Sequence, residues 1–150
     1  SAPASAAKVS DLRARRNMLN GLLSGRRATI GASFGGLISA KLAFGYPEVF
    51  GHCGVHSGAY WPKGSEAVAF IEDHKDAPVN YAAIWGTYEG VTHNNYQVRD
   101  LLQEAEKEIY WRELPEGHTW ALWRATMDEL LAQFFPMDSL SPNPIPPSTE

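Results

Sequence analysis

Cysteine is almost missing from this chain: Cys53 is the single one in 150 residues. No internal disulfide can form, and zinc sites built on cysteine thiolates are excluded. No apolar stretch approaches the ~20 residues that a membrane-crossing helix needs. Positive charge is not in excess either, with 13 Lys and Arg against 17 Asp and Glu and a formal net charge of −4. Neither a membrane nor a nucleic acid is therefore an expected partner. The opening Ser-Ala-Pro-Ala-Ser-Ala-Ala has no basic n-region and no apolar h-region, so it is not an intact signal peptide. The chain opens on Ser1 rather than Met, which implies that something has been removed ahead of it. A lone Cys53, read as a small core residue, suits the cytoplasm as well as any export route, and the cytoplasm is slightly favoured.

What is present is ordinary for a globular domain, with 44% hydrophobic and 20% charged residues. The charges are unevenly placed. Up to Gly45 the basic residues are Lys8, Arg13, Arg15, Arg16, Arg26, Arg27 and Lys41, against Asp11 as the one acid, and the remainder is acidic. A basic front of this kind is a solvated helix face or a surface for an acidic neighbour.

Residues 1–9 read as a flexible lead-in, residues 10–136 as one domain and residues 137–150, rich in proline, as a disordered tail. Within the domain the periodicity predicts a helix to Leu23 with Ser10 as its N-cap, and Gly25 beyond its end. A strand over Ala28–Ala32 leads into a buried helix with Leu37, Ile38, Ala40, Leu42 and Ala43, closed by Gly45 and Pro47. A strand over Val49–His56 and a short helix over Ala67–His74 follow. Val79–Trp85 is the clearest strand, and Asn94–Glu106 an amphipathic helix on Val98, Leu101, Leu102 and Ala105. Glu108–Leu114 alternates like a strand, and Thr119–Phe135 reads as one closing helix. Strand and helix alternate four times, so the fold class is α/β, a mainly parallel sheet flanked by helices.

Gly31-Ala32-Ser33-Phe34-Gly35 fits Gly-x-Ser-x-Gly, placed where an apolar strand meets a helix. This is the pattern of a nucleophile elbow, in which a strained turn lifts a serine hydroxyl above the sheet for a base to reach. Glycines two residues to either side let strand and helix approach each other. The Phe34 N–H, at the start of the helix, is placed to donate to a developing oxyanion. Phosphate-binding loops share such glycines, but no lysine follows here.

Five histidines compete to be the base. His52 and His56 lie in a strand and suit structural roles, His74 lies on a polar helix, and His93 sits on a loop where it could cap a helix. His118 follows the last strand, where the chain order Ser…Asp/Glu…His places the base. Glu89 is the one carboxylate on the loop after Val79–Gly86, which makes it the orienting acid. Asp100 is the runner-up within the next helix, and Asp73 and Asp76 precede the strand.

These residues carry a resemblance. RATIGASFGGLISAKLAFGYPEVFGHCGVHSGAYW, from Arg27 to Trp61, resembles the putative esterase family that includes esterase D and the enterochelin esterases. Gly117-His118-Thr119-Trp120-Ala121-Leu122-Trp123-Arg124 is similar to that family's Gly-His-x-Trp-x-x-Trp-Arg segment. Gly86-Thr87-Tyr88-Glu89 is similar to its Gly-x-x-Glu. The resemblance implies an α/β-hydrolase fold and a Ser33–His118–Glu89 catalytic triad, with Phe34 N–H in the oxyanion hole. No cofactor or metal is implied. Trp61 is a candidate wall of the substrate pocket, although a core aromatic is as good a reading, and Trp120 and Trp123 are expected to anchor the closing helix in the core.

The family normally carries several strands ahead of the elbow strand, whereas here only a helix precedes Arg26. A truncated α/β-hydrolase fold is the expectation, with the elbow strand left as a raw edge. Such an edge implies a homo-oligomer or a complementing chain. Two functions remain open. One is a serine carboxylesterase acting on small-molecule esters through an acyl-enzyme. The other is a non-catalytic remnant or binding module that retains the second half of the fold.

Overall fold

The computed structural model describes residues 4–136. Helix α1 spans Ala4–Ser24, so it starts earlier than Ser10, which lies inside it. The reason is local: Ala4, Ala6 and Ala7 are strong helix formers and extend the helix back into the expected lead-in. The proline-rich tail, 137–150, lies outside the described residues.

Strand β1 (Ala28–Ala32) then leads through Ser33 into α2 (Phe34–Gly45). The rest follows in order: β2 (His52–His56), α3 (Pro62–Asp73), β3 (Asn80–Gly86), α4 (Thr92–Glu104), β4 (Tyr110–Leu114), α5 (Trp120–Ala125) and α6 (Met127–Phe134). The four strands form one parallel sheet in the order β1-β2-β3-β4, with Ala32 opposite His56 and His56 opposite Ile84. Among the described residues strand β1 is thus an edge of the sheet, paired on one side by β2.

Alternation along the strands divides the core in two. Cys53, Val55, Tyr81, Ala83 and Trp85 point to the face covered by α2, α3 and α4, where Ala40, Phe44, Ile71, Val98 and Leu102 meet them. Ala82 and Ile84 point to the other face, under Leu122, Trp123, Leu130 and Phe134 of α5 and α6. Helices on both faces of a parallel sheet make this an α/β fold of the expected class. Cys53 is fully buried and free, and burial pushes its thiol up to about 12.

Helix α2 is only partly the buried helix of the sequence reading. Gly36, Ala40, Ala43 and Phe44 recur at i, i+4, i+7 and i+8 and face the sheet. Ile38 and Leu42 lie on its opposite side and are exposed.

The closing helix is two helices. Thr126 separates them with φ −124° and ψ 10°. Its hydroxyl donates to Leu122 O at 2.9 Å and meets His56 Nε2 at 2.8 Å. A threonine side chain bonded back to its own helix and outward to a buried imidazole bends the chain there. Among the described residues no helix is long and apolar enough to cross a membrane.

Candidate active site

In a parallel sheet the carboxyl ends of all strands share one edge, and ligands bind there. Ser33 follows β1, Ser57 follows β2, Glu89 lies just beyond β3, and His118 lies beyond β4. The fold therefore gathers these residues at one end.

Ser33 adopts φ 56° and ψ −120°, a conformation that side chains rarely take and that marks a strained elbow. Backbone bonds hold it. Ser33 N donates to His56 O at 2.9 Å, and Ser33 O accepts from Gly36, Leu37 and Ala59 N–H groups at 3.0–3.2 Å. A Cβ at Gly31 would stand 2.3 Å from Gly35 O, so only glycine fits there. The second tight glycine is Gly36, whose Cβ would meet Val55 Cγ1 at 2.8 Å. Gly35 has open space around it, so the symmetric role expected for Gly31 and Gly35 belongs to Gly31 and Gly36. Phe34 is the first residue of α2, where a helix N–H has no acceptor within its own helix.

Glu89 and His118 meet: His118 Nδ1 lies 3.1 Å from Glu89 Oε2. The Glu89 side chain is fully enclosed, at 0% exposure, whereas that of His118 is about one-third exposed. Glu89 Oε1 accepts from Gly86 N–H at 2.7 Å and from Ser57 Oγ at 2.7 Å. A carboxylate acceptor requires the proton of a neutral His118 to sit on Nδ1, which leaves Nε2 as a base.

The other candidates separate cleanly. His52 bonds Gly25 O at 2.8 Å and stacks on Phe134. His56 is fully buried, and burial lowers its pKa to about 4, against the pull of Thr126 and Glu129. His74 bonds Phe70 O at 2.8 Å and stacks on the Phe70 ring, a half-buried post rather than a free polar surface residue. His93 is exposed within α4, not on the loop before it, because the helix begins at Thr92. Asp100 pairs with Arg99 on α4.

Trp123 is buried, but Trp120 is 78% exposed and does not anchor the core. On α5 the two are three residues apart, and Thr119 caps the helix through its hydroxyl, accepting from Leu122 N–H at 3.4 Å. Leu122 and Trp123 face the sheet and Trp120 faces out. Trp61 is also exposed and packs on the exposed Phe34 ring, with centroids 5.7 Å apart.

Sequence reasoning passed over two residues of this cluster. Ser57 and Asn95 hold the turn after β2, where Asn95 Oδ1 accepts from Gly58 N–H and Asn95 Nδ2 donates to Gly58 O, each at 3.0 Å. The signal available was the Ser-Gly step at a strand end, which reads as an ordinary turn.

The profile of the Putative esterase family matches residues 12–113, about two thirds of the chain. The chain belongs to this family. An enterochelin esterase of Shigella flexneri superposes with a TM-score of 0.66 at 25% identity, over 77% of this chain and 32% of that one. A ferulic acid esterase superposes with a TM-score of 0.65 at 18% identity, over 74% of this chain and 51% of that one. A curated relative, the uncharacterized protein YbbA of Bacillus subtilis, is 33% identical over 81 residues, which are 54% of this chain and 32% of that protein. The chain thus spans about a third of YbbA and of the enterochelin esterase, and it has the fold of α/β-hydrolase-type esterases.

Proposed function

We propose that this esterase-family chain is a serine carboxylesterase acting on small carboxylic esters. In this reading Ser33 Oγ attacks the ester carbonyl while His118 Nε2 takes its proton, and the carbonyl oxygen becomes an oxyanion met by Phe34 N–H. The imidazolium returns the proton to the departing alcohol, which leaves an acyl group on Ser33. Water, deprotonated by the same nitrogen, then releases the acid and restores Ser33. Glu89 holds the imidazole tautomer and offsets its charge in both halves. No cofactor enters the cycle.

The observation that carries the reading is the 3.1 Å contact between His118 Nδ1 and an enclosed Glu89, at the sheet end that also bears a strained Ser33. Trp61, exposed beside Phe34, supports a role for its ring in receiving the acyl or alcohol part of the substrate. The names of the solved relatives, an enterochelin esterase and a ferulic acid esterase, agree with ester hydrolysis.

A burst of p-nitrophenol from p-nitrophenyl acetate, lost in Ser33→Ala, is the expected result. Equal rates for the wild type and Ser33→Ala would overturn the proposal in favour of a non-catalytic binding module. A slow but Ser33-dependent burst also supports the reading.

A further inference from the structure

Glu89 and His118 are half of a closed ring of contacts. Ser57 Oγ donates to Glu89 Oε1 at 2.7 Å and accepts from Trp123 Nε1 at 3.0 Å. The Trp123 indole in turn stands edge-on to the His118 imidazole, with centroids 5.0 Å apart and planes at 88°. The circuit runs His118, Glu89, Ser57, Trp123 and back to His118, through four residues from three loops and one helix.

We infer that Ser57 and Trp123 are positioning residues which together fix the rotamer of Glu89 and the plane of His118. This rests on the esterase reading above and adds two residues to it.

Three observations converge on the inference. Ser57 has φ 49°, a left-handed backbone that suits glycine, yet it carries a side chain and is fully buried. Strain of this kind persists only where the surroundings over-determine it. Here they do: Ser57 N donates to Ile84 O at 2.9 Å, and Asn95 clamps Gly58 on both its N–H and its carbonyl. A glycine would relieve the backbone and lose only the hydroxymethyl group, whose hydroxyl is the part that bonds Glu89 and Trp123.

The lone pairs of Glu89 tell the same story. Gly86 N–H and Ser57 Oγ both donate to Oε1, which leaves Oε2 facing His118. Two donors on one oxygen prevent the carboxylate from turning about its last bond. Trp123 closes the ring from the other side. It donates its only N–H to Ser57, which orients the hydroxyl hydrogen toward Glu89, and its ring, perpendicular to the imidazole, limits the tilt of that ring.

The test uses the full protein with Ser57→Gly, Trp123→Phe and the double variant. The first readout is ¹⁵N and ¹H NMR titration of the His118 ring, which needs no activity. Ser57→Gly should raise the population of the Nε2-protonated tautomer, because the carboxylate is free to turn away. The second readout is kcat and KM for p-nitrophenyl acetate against pH. Each single variant should lower kcat by about tenfold to a hundredfold with KM unchanged.

Because both residues act through one ring, the double variant should lose no more than the worse single. Unchanged ring ¹⁵N shifts in folded Ser57→Gly would overturn the inference, as would fully multiplicative losses in the double variant. Should Ser57→Gly fail to fold, Trp123→Phe decides by the same two readouts. A wild type no faster than Ser33→Ala would sink the esterase reading alone, since the NMR titration still reports on the ring.

Discussion

Of the two glycines in the Gly-x-Ser-x-Gly pentapeptide, the structure asks for only one, and alanine substitutions distinguish them. In Gly31→Ala the new methyl would lie 2.3 Å from Gly35 O, 2.4 Å from Gly35 C and 2.9 Å from Ser39 Oγ. Real Cβ contacts essentially never fall below 3.0 Å, so strand and helix must part by about 0.7 Å (3.0 less 2.3). The two nearest obstructing atoms are backbone, which cannot rotate away. Forcing a methyl group into such a contact costs about 1–3 kcal/mol.

In Gly35→Ala the methyl meets nothing within 4 Å. Gly35 is the second residue of α2, where replacing glycine by alanine favours the helix by up to about 1 kcal/mol. Urea unfolding of the two variants beside the wild type measures the contrast. The midpoint should fall for Gly31→Ala and hold or rise for Gly35→Ala, with unchanged slope. Equal losses at both positions would refute the reasoning, because the motif would then matter through something other than the close approach.

Two further outcomes are expected. The pKa of His56 falls from 6.5 to about 4 on burial, so an unfolded chain binds a proton there that the folded one does not. Its stabilising effect is present above pH 6.5 and is lost as pH falls toward 4, about 3 kcal/mol in all. Urea midpoints from pH 7.5 to 4 should show that slope in the wild type and a shallower one in His56→Gln, and parallel slopes would contradict it. The edge of β1 that is unpaired among the described residues is expected to be paired by a second copy of this chain or by a complementing chain. Static light scattering should therefore give at least twice the chain mass for the copy, and a stable monomer at micromolar concentration rules the copy out.

Much of this was legible in the order of residues, and the reason is periodicity. Ala28–Ala32 is five residues in both the reading and the fold, because an apolar run bounded by Arg27 and Ser33 admits little else. Ser33, Glu89 and His118 could be named as candidates because each lies past the end of a strand, and parallel strands bring such positions to one end of the sheet. Local chemistry is enough for that, since strand ends and turns are written in adjacent residues.

Facing, burial and pairing depend on neighbours that are distant in sequence, and these only the tertiary structure decided. Ile38 and Leu42 are as apolar as Ala40 and Ala43, but the sheet lies on one side of α2. Trp120 and Trp123 look equivalent, yet one faces solvent and the other donates to Ser57, 66 residues away. The elbow itself is a local motif, whereas the enclosure that aims Glu89 at His118 comes from β2, β3 and α5 meeting at one edge. A hydrogen bond between residues far apart in the chain has no period, so it leaves no trace in the sequence until the sheet has formed.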